Sequence, residues 1–177
     1  MIKLLHLNYY HHGEHNSPMP VIELHKFSSG FIDHISSQVD FVSVKHMNHT
    51  GSMEVNGINY HFFKSRNEGW YIPFATHRFI KKQKPDVVLV EGFVFPLQVL
   101  FLRWKLGKKP IIMLQHHGES PWKGLHGFLQ KMAGRAVNAY LFTSMGNAEQ
   151  WISNGIGKKE KCFEVLSAST SMLSLTI

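Results

Sequence analysis

A single cysteine, Cys162, stands among 177 residues, so no internal disulfide can form and a reducing compartment is expected. No apolar run is long enough to cross a bilayer. The start MIKLLHLNYY has no small-residue cleavage site, so it fits a first buried strand better than a secretory leader, and cytoplasmic placement is expected. No G-x-G-x-x-G follows that strand, which argues against a nicotinamide-dinucleotide enzyme. Thr143-Ser144-Met145-Gly146 is not a nucleophile elbow, which argues against a hydrolase. Acidic residues are few, 12 against 19 Lys and Arg, and the net charge of +7 with pI ≈ 9.5 implies attraction to an anionic partner: nucleic acid, a phosphate-bearing ligand or the inner face of a membrane. Nucleic acid is disfavoured, because no aromatic-interleaved basic patch or known motif is present. Internal repeats and low-complexity blocks are absent as well.

What the chain does contain is an alternation of short apolar runs and helical patterns, centred on residues 109–119, KPIIMLQHHGE. Ile111, Ile112, Met113 and Leu114 read as a strand covered on both faces. It stops at His116, His117, Gly118 and Glu119, and the carboxyl ends of strands are where open α/β sheets bind ligands. The alternative is that these are loop residues without chemistry. Further strands are expected at 2–8, 39–44, 58–62, 87–90, 139–142 and 163–166, about seven in all. Helices are expected at 21–35, 71–82, 95–106, 122–136 and 145–154. Residues 9–20, YYHHGEHNSPMP, read as a loop over a ligand cleft, since His11, His12, His15, Gly13 and two prolines argue against a helix. Those histidines have no carboxylate or thiol at an established ligand spacing, so no metal is expected. The pattern predicts a single-domain, doubly wound, mostly parallel Rossmann-like α/β sheet in three layers. Its crevice would be lined by the loops at 9–20, 91–95 and 115–119, with 143–146 beside them. Lys81, Lys82 and Lys84, then Arg103, Lys105, Lys108 and Lys109, then Lys158, Lys159 and Lys161 all precede strands, at the opposite edge, where helix C-termini favour cations.

Four phrases in order carry a resemblance: the glycine-containing loop at Gly13, KPDVVLVEGF at 84–93, KPIIMLQHHG at 109–118, and AYLFTSMGNAEQWISNGIGKKEKCFEVL at 139–166. Together they resemble the N-terminal domain of GT-B-fold retaining glycosyltransferases (glycosyltransferase family 4-like, group 1), which includes bacterial glycogen synthases, sucrose synthases and phosphatidylinositol mannosyltransferases. The resemblance implies that His117 lies at the sugar-transfer site as the catalytic residue, and an imidazole there can donate a hydrogen bond to a sugar hydroxyl or phosphate oxygen. It implies that Gly13 lets the backbone approach a diphosphate, with Glu14 beside it. Glu91, which stands where the family commonly has histidine, would accept bonds from acceptor hydroxyls. Gly92, His116, Gly118, Glu119 and Ser144 would complete the substrate surface.

The family's nucleotide-sugar site lies mostly in a second domain with a Glu, seven residues and a second Glu, and no such pair occurs here. The three aspartates, Asp33, Asp40 and Asp86, form no Asp-x-Asp pair of the kind used by metal-dependent transferases of the other major fold. Residues 1–166 are therefore expected to be the acceptor-side domain, with 167–177 a tail or interdomain linker and the C-terminal donor-binding domain absent. The implied partners are a nucleotide-sugar donor, a glycan or lipid-linked acceptor and the missing domain, with an anionic membrane at the inner face open to peripheral contact; no cofactor is implied. Alone, such a half would not catalyse transfer. The competing expectation is a non-catalytic, stand-alone α/β ligand-binding or interaction module.

Overall fold

The computed structural model describes residues 1–15, 17–24, 38–65 and 71–165. In chain order they form β1 (Ile2–His12), α1 (Pro18–Leu24), β2 (Val39–Met47), β3 (Gly51–Val55), β4 (Ile58–Lys64), α2 (Phe74–Gln83), β5 (Val87–Glu91), α3 (Pro96–Leu106), β6 (Ile111–Gln115), α4 (Gly124–Gly134), β7 (Ala139–Phe142), α5 (Met145–Ser153) and β8 (Cys162–Glu164). All eight strands share one sheet in the order β3-β4-β2-β1-β5-β6-β7-β8. Every pairing is parallel except β3 with β4. The chain winds outward from β1 in both directions, so the strand order reverses beside β1, between β2 and β5.

The register explains the two cores. Leu5 pairs with Val42 and Val88, Leu7 with Val44 and Val90, and Ile112 with Val88. Alternation puts these apolar residues on one face, where Ile80 of α2, Val99 and Leu102 of α3 and Ala133 of α4 cover them. Full burial of each aliphatic side chain contributes about 1.5–3 kcal/mol. On the other face Phe41, Met47, Ile58, Tyr60 and Phe62 meet Val21 and Ile22 of α1.

Local chemistry sets the helix ends. Pro96 opens α3 at a position where its missing N–H costs nothing, and Gly107, at φ 76°, ends it. Lys84 takes a left-handed conformation to stop α2 just before Pro85. Arg103 ties the lower edge together, donating to the carbonyls of Ala136 (2.8 Å), Gly107 (2.9 Å) and Pro110 (2.8 Å) and to Asn138 Oδ1 (2.6 Å). The clustered lysines do fall at this edge: Lys81 and Lys82 close α2, and Lys105 closes α3.

Three expectations are corrected. The described residues form eight strands where about seven were expected: residues 51–55 form an edge strand, turned into β4 by Asn56 and Gly57, both at positive φ. That pair suits a two-residue hairpin, and the strand before it alternates half-buried with exposed residues. Residues 9–20 are not one loop, because β1 runs on to His12, with His11 paired to His46 and His12 to Met47. The prolines at 18 and 20 do not exclude a helix either; they sit in the first turn of α1, where proline is tolerated. The rest of the helix expected over 21–35 lies outside the described residues beyond Leu24, as does the tail at 167–177.

Candidate functional site

The carboxyl ends of β1, β5 and β6 lie side by side: Asn8 pairs with Glu91, and Glu91 with Gln115. The loops that follow are locked together through Glu119. Its Oε2 accepts from the His117 N–H (2.8 Å), and its Oε1 accepts from the Tyr10 hydroxyl (2.9 Å). Burial and the neighbouring Glu119 carboxylate both push the Tyr10 hydroxyl toward its neutral form. Gly92, at φ 82°, lies directly beneath this pair; a Cβ there would sit 2.8 Å from both Glu119 Oε1 and Tyr10 Oη. Only glycine allows both the backbone conformation and the crossing of the loops.

His116 and His117 are placed differently despite adjacency. His116 is buried among Phe93, Phe142 and Trp151. Its Nε2 donates to the Glu119 carbonyl (2.9 Å) and its Nδ1 accepts from the Gly118 N–H (3.4 Å), so both ring nitrogens serve its own loop. The neighbouring His117 projects into solvent, and the turn behind it depends on Gly118 at φ 94°. Ser144 is half-buried and caps α5, its Oγ accepting from the Asn147 N–H (3.4 Å).

Glu91 is turned inward. It is 3% exposed, accepting from His6 Nε2 (2.8 Å) and from Asn8 Nδ2. Ser43 Oγ lies 3.5 Å from His6 Nδ1. Lys45 is 1% exposed, and its Nζ has no hydrogen-bond partner among the described residues. Burial pulls that ammonium down to about 8, against the opposing pull of Glu91. On the opposite face a second polar group is built on Tyr9, whose hydroxyl lies 2.8 Å from His77 Nε2, while Thr76 Oγ1 lies 2.9 Å from His46 Nε2. Burial, the dominant cause, holds both imidazoles at about 4.

Gly13 and Glu14 are carried toward β2, away from the β5 and β6 loops. Around Gly13 stand His11 and Asn48, and its carbonyl accepts from Asn48 Nδ2 (2.7 Å). Glu14 is exposed beside His12 (3.8 Å) and His15 (3.5 Å), while His11 Nδ1 meets Ser65 Oγ at 2.9 Å. Among the described residues no group of three His, Cys, Asp or Glu is arranged to hold a metal, and no helix is long and apolar enough to cross a membrane.

Of the expected site residues, Gly92, His116, His117, Gly118 and Glu119 are brought together, with Glu91 beneath them. Tyr10, His6, Asn8 and Lys45 were not anticipated. A signal for them existed: His6 and Asn8 recur at period two in an otherwise apolar strand, as Ser43 and Lys45 do in the next, which in a doubly covered sheet implies a buried polar layer.

No family model and no curated protein sequence matches the chain. Solved structures do. A lipopolysaccharide outer core galactosyltransferase, WaaB, in its apo form superposes at TM-score 0.60 with 18% identity, over 93% of this chain and 45% of that one. UDP-N-acetylglucosamine 2-epimerase from Rickettsia bellii gives TM-score 0.60 and 15% identity over 94% of this chain and 45% of that one. The catalytic domain of starch synthase IV from Arabidopsis thaliana, bound to ADP and acarbose, gives 0.55 and 11% over 94% and 51%. The chain thus spans about half the length of the structures it matches. One fold serving two transferases and an epimerase shows that activity must be argued from the site. The chain is an α/β domain with the Rossmann-like fold of one half of the GT-B glycosyltransferases.

Proposed function

We propose that this chain is the acceptor-side half of a glycosyltransferase that moves a sugar from a nucleotide-diphosphate donor to an acceptor hydroxyl, and that it is inactive without a second, donor-binding domain. The observation that carries this reading is the convergence of Gly92 and His117–Glu119 at the strand edge beside the point of order reversal, with His117 the solvent-facing imidazole of that loop. His117 would donate to a sugar hydroxyl or to a leaving phosphate oxygen. Glu119 and Tyr10 would hold its backbone in place, and the ordered loop would orient the substrates. Donor phosphates would be neutralised mainly by the second domain. The test is sugar transfer measured for the purified chain alone and for a protein joining it to a donor-binding domain. The expected result is no turnover for the first, and for the second a loss of ~10²-fold or more on His117→Ala. Turnover by the chain alone overturns the reading.

A non-catalytic binding module is the second reading. It is favoured by one observation: His116, Glu119 and Glu91 are all engaged within the protein, leaving few groups for chemistry. Saturable sugar binding with no transfer, even when the second domain is joined, would select it.

A further inference from the structure

Between the histidine loop and α4 the chain passes through Trp122, and its main chain is fixed from two sides. The Trp122 N–H donates to Gln130 Oε1 (2.8 Å), and Gln130 Nε2 donates in turn to the carbonyl of Phe93 (2.9 Å). Gln130 is 2% exposed, so one buried amide ties the approach to α4 to the loop that begins at Gly92. On the other side, a Cβ on Gly127 would lie 2.2 Å from the Trp122 carbonyl oxygen, a contact that only glycine permits. The Trp122 ring meets His126 edge to face at 5.5 Å, yet the residue is 37% exposed. A surface tryptophan by itself needs no explanation. A buried glutamine that uses both ends of its amide to hold that tryptophan against the Gly92 loop does. A ring held in this way loses little conformational freedom when a ligand covers it. Polar groups stand close along the chain. Each oxygen of Glu119 accepts one hydrogen bond, from the His117 N–H or the Tyr10 hydroxyl, and keeps a second lone pair, and the side chain is 12% exposed. The His117 imidazole faces water.

We propose that Trp122 is the platform on which a saccharide ring of the acceptor lies, its hydroxyl edge turned toward Glu119 and His117. This rests on the glycosyltransferase reading above and makes the acceptor a glycan rather than a bare lipid alcohol. The C–H bonds on the flat side of a pyranose are weakly positive and meet the negative face of the indole. The hydroxyls at the ring edge need acceptors and donors in fixed places, which the carboxylate and the imidazole supply. An alkyl chain would cover the indole but has nothing to offer the carboxylate, and a phosphate would be repelled by it. Gln130 is the positioning residue: it touches no sugar and acts by holding the Trp122 main chain.

The test is a titration of the whole chain with oligosaccharides of glucose, galactose, mannose and N-acetylglucosamine, and with sorbitol as a polyol that has no ring. The readout is the indole N–H signal of Trp122 in proton–nitrogen NMR spectra, identified by its loss in Trp122→Phe. The expected result is a saturable shift of that signal with at least one oligosaccharide and none with sorbitol. Trp122→Ala should weaken binding ~10-fold, while Trp122→Phe, which keeps an aromatic face, should stay within ~3-fold of the wild type. Gln130→Leu should weaken binding although the ring remains, and Gln130→Glu, which keeps the acceptor for the Trp122 N–H, should recover part of the loss. A merely structural glutamine would lower the melting temperature in both variants without changing affinity below it. Saccharide shifts at Gly92 and His117 that leave the Trp122 indole unmoved overturn the proposal and leave the transferase reading standing. Binding unchanged in Trp122→Ala, or no shift with any saccharide, overturns it as well, and the transferase reading is then decided by the transfer assay on the joined protein. Shifts confined to Trp122 and the start of α4 support the platform and count against transfer at His117.

Discussion

Acidification should unfold this protein through two buried histidines grouped around Tyr9. In His46 and His77 the Nε2 atoms face the hydroxyls of Thr76 and Tyr9 at 2.9 and 2.8 Å. The neutral rings accept from those hydroxyls, whereas a proton on Nε2 would force both to turn. Burial lowers each from 6.5 to about 4, which at 1.36 kcal/mol per pH unit is roughly 3 kcal/mol apiece. Because His46 also disfavours charge on His77, the two act together, and a loss of between roughly 3 and 6 kcal/mol is the working range. The unfolded chain binds protons that the folded one refuses between pH 6.5 and 4. The contribution is therefore complete above pH 6.5 and disappears as pH falls toward 4. A loss of that size is much of the stability of an ordinary domain. Urea unfolding followed by circular dichroism at intervals from pH 7 to pH 4.5 measures it, and His77→Gln, which keeps an acceptor for Tyr9, should flatten the slope. A wild-type midpoint constant across that range, or an equal slope in the variant, would refute the reasoning.

Other consequences follow from single residues. Gly92→Ala places a methyl against the Tyr10–Glu119 pair at a positive φ and should cost about 2 kcal/mol, read as a fall in melting temperature of roughly 5 °C; an unchanged melt would mean the loops are not held there. Lys45→Met replaces a 1% exposed ammonium that has no hydrogen-bond partner among the described residues and whose shift from 10.5 to about 8 represents roughly 3 kcal/mol of unfavourable charge burial. It should therefore stabilise the chain by about 1–3 kcal/mol at pH 7, and destabilisation would show that the attraction to Glu91 outweighs the cost of burial. His116→Ala empties an aromatic pocket and should lower stability by about 2–4 kcal/mol, whereas His117→Ala should leave the melting temperature nearly unchanged; equal effects in the two would contradict their placement.

The parallel sheet was legible because Val87–Val90 and Ile111–Leu114 are too apolar and too short to be anything but sheet strands between helical patterns, although Ile111, at the start of its strand, is 45% exposed. The grouping of Gly92 with the histidine loop follows from strand order, which the alternation of elements predicts. The fate of the side chains there was less legible. Adjacent histidines at a strand end look equivalent in sequence, yet one packs on Phe142 and Trp151 while the other faces water, a choice made by tertiary packing. Glu91 read as an edge carboxylate because its partners, His6 and Asn8, are 85 and 83 residues away in the chain. The path of β1 past Asn8 was also hidden. Histidine and tyrosine at 9–12 resemble a polar loop, and only the pairing of His11 and His12 with β2 makes them strand. The Asn56-Gly57 turn was visible, but the strand it serves, GSMEV, alternates weakly and has a solvent-facing glutamate, as an edge strand can.

The claim on which the rest depends is that ligands meet this domain at the carboxyl edge of β1, β5 and β6. It is tested most directly by amide proton–nitrogen NMR spectra of the 177-residue chain titrated with nucleotide sugars and oligosaccharides. The account predicts weak but saturable shifts at Gly92, His117, Gly118 and Glu119, with the amides of Lys81, Lys82 and Lys108 unmoved. Shifts confined to that opposite, lysine-rich edge would contradict it.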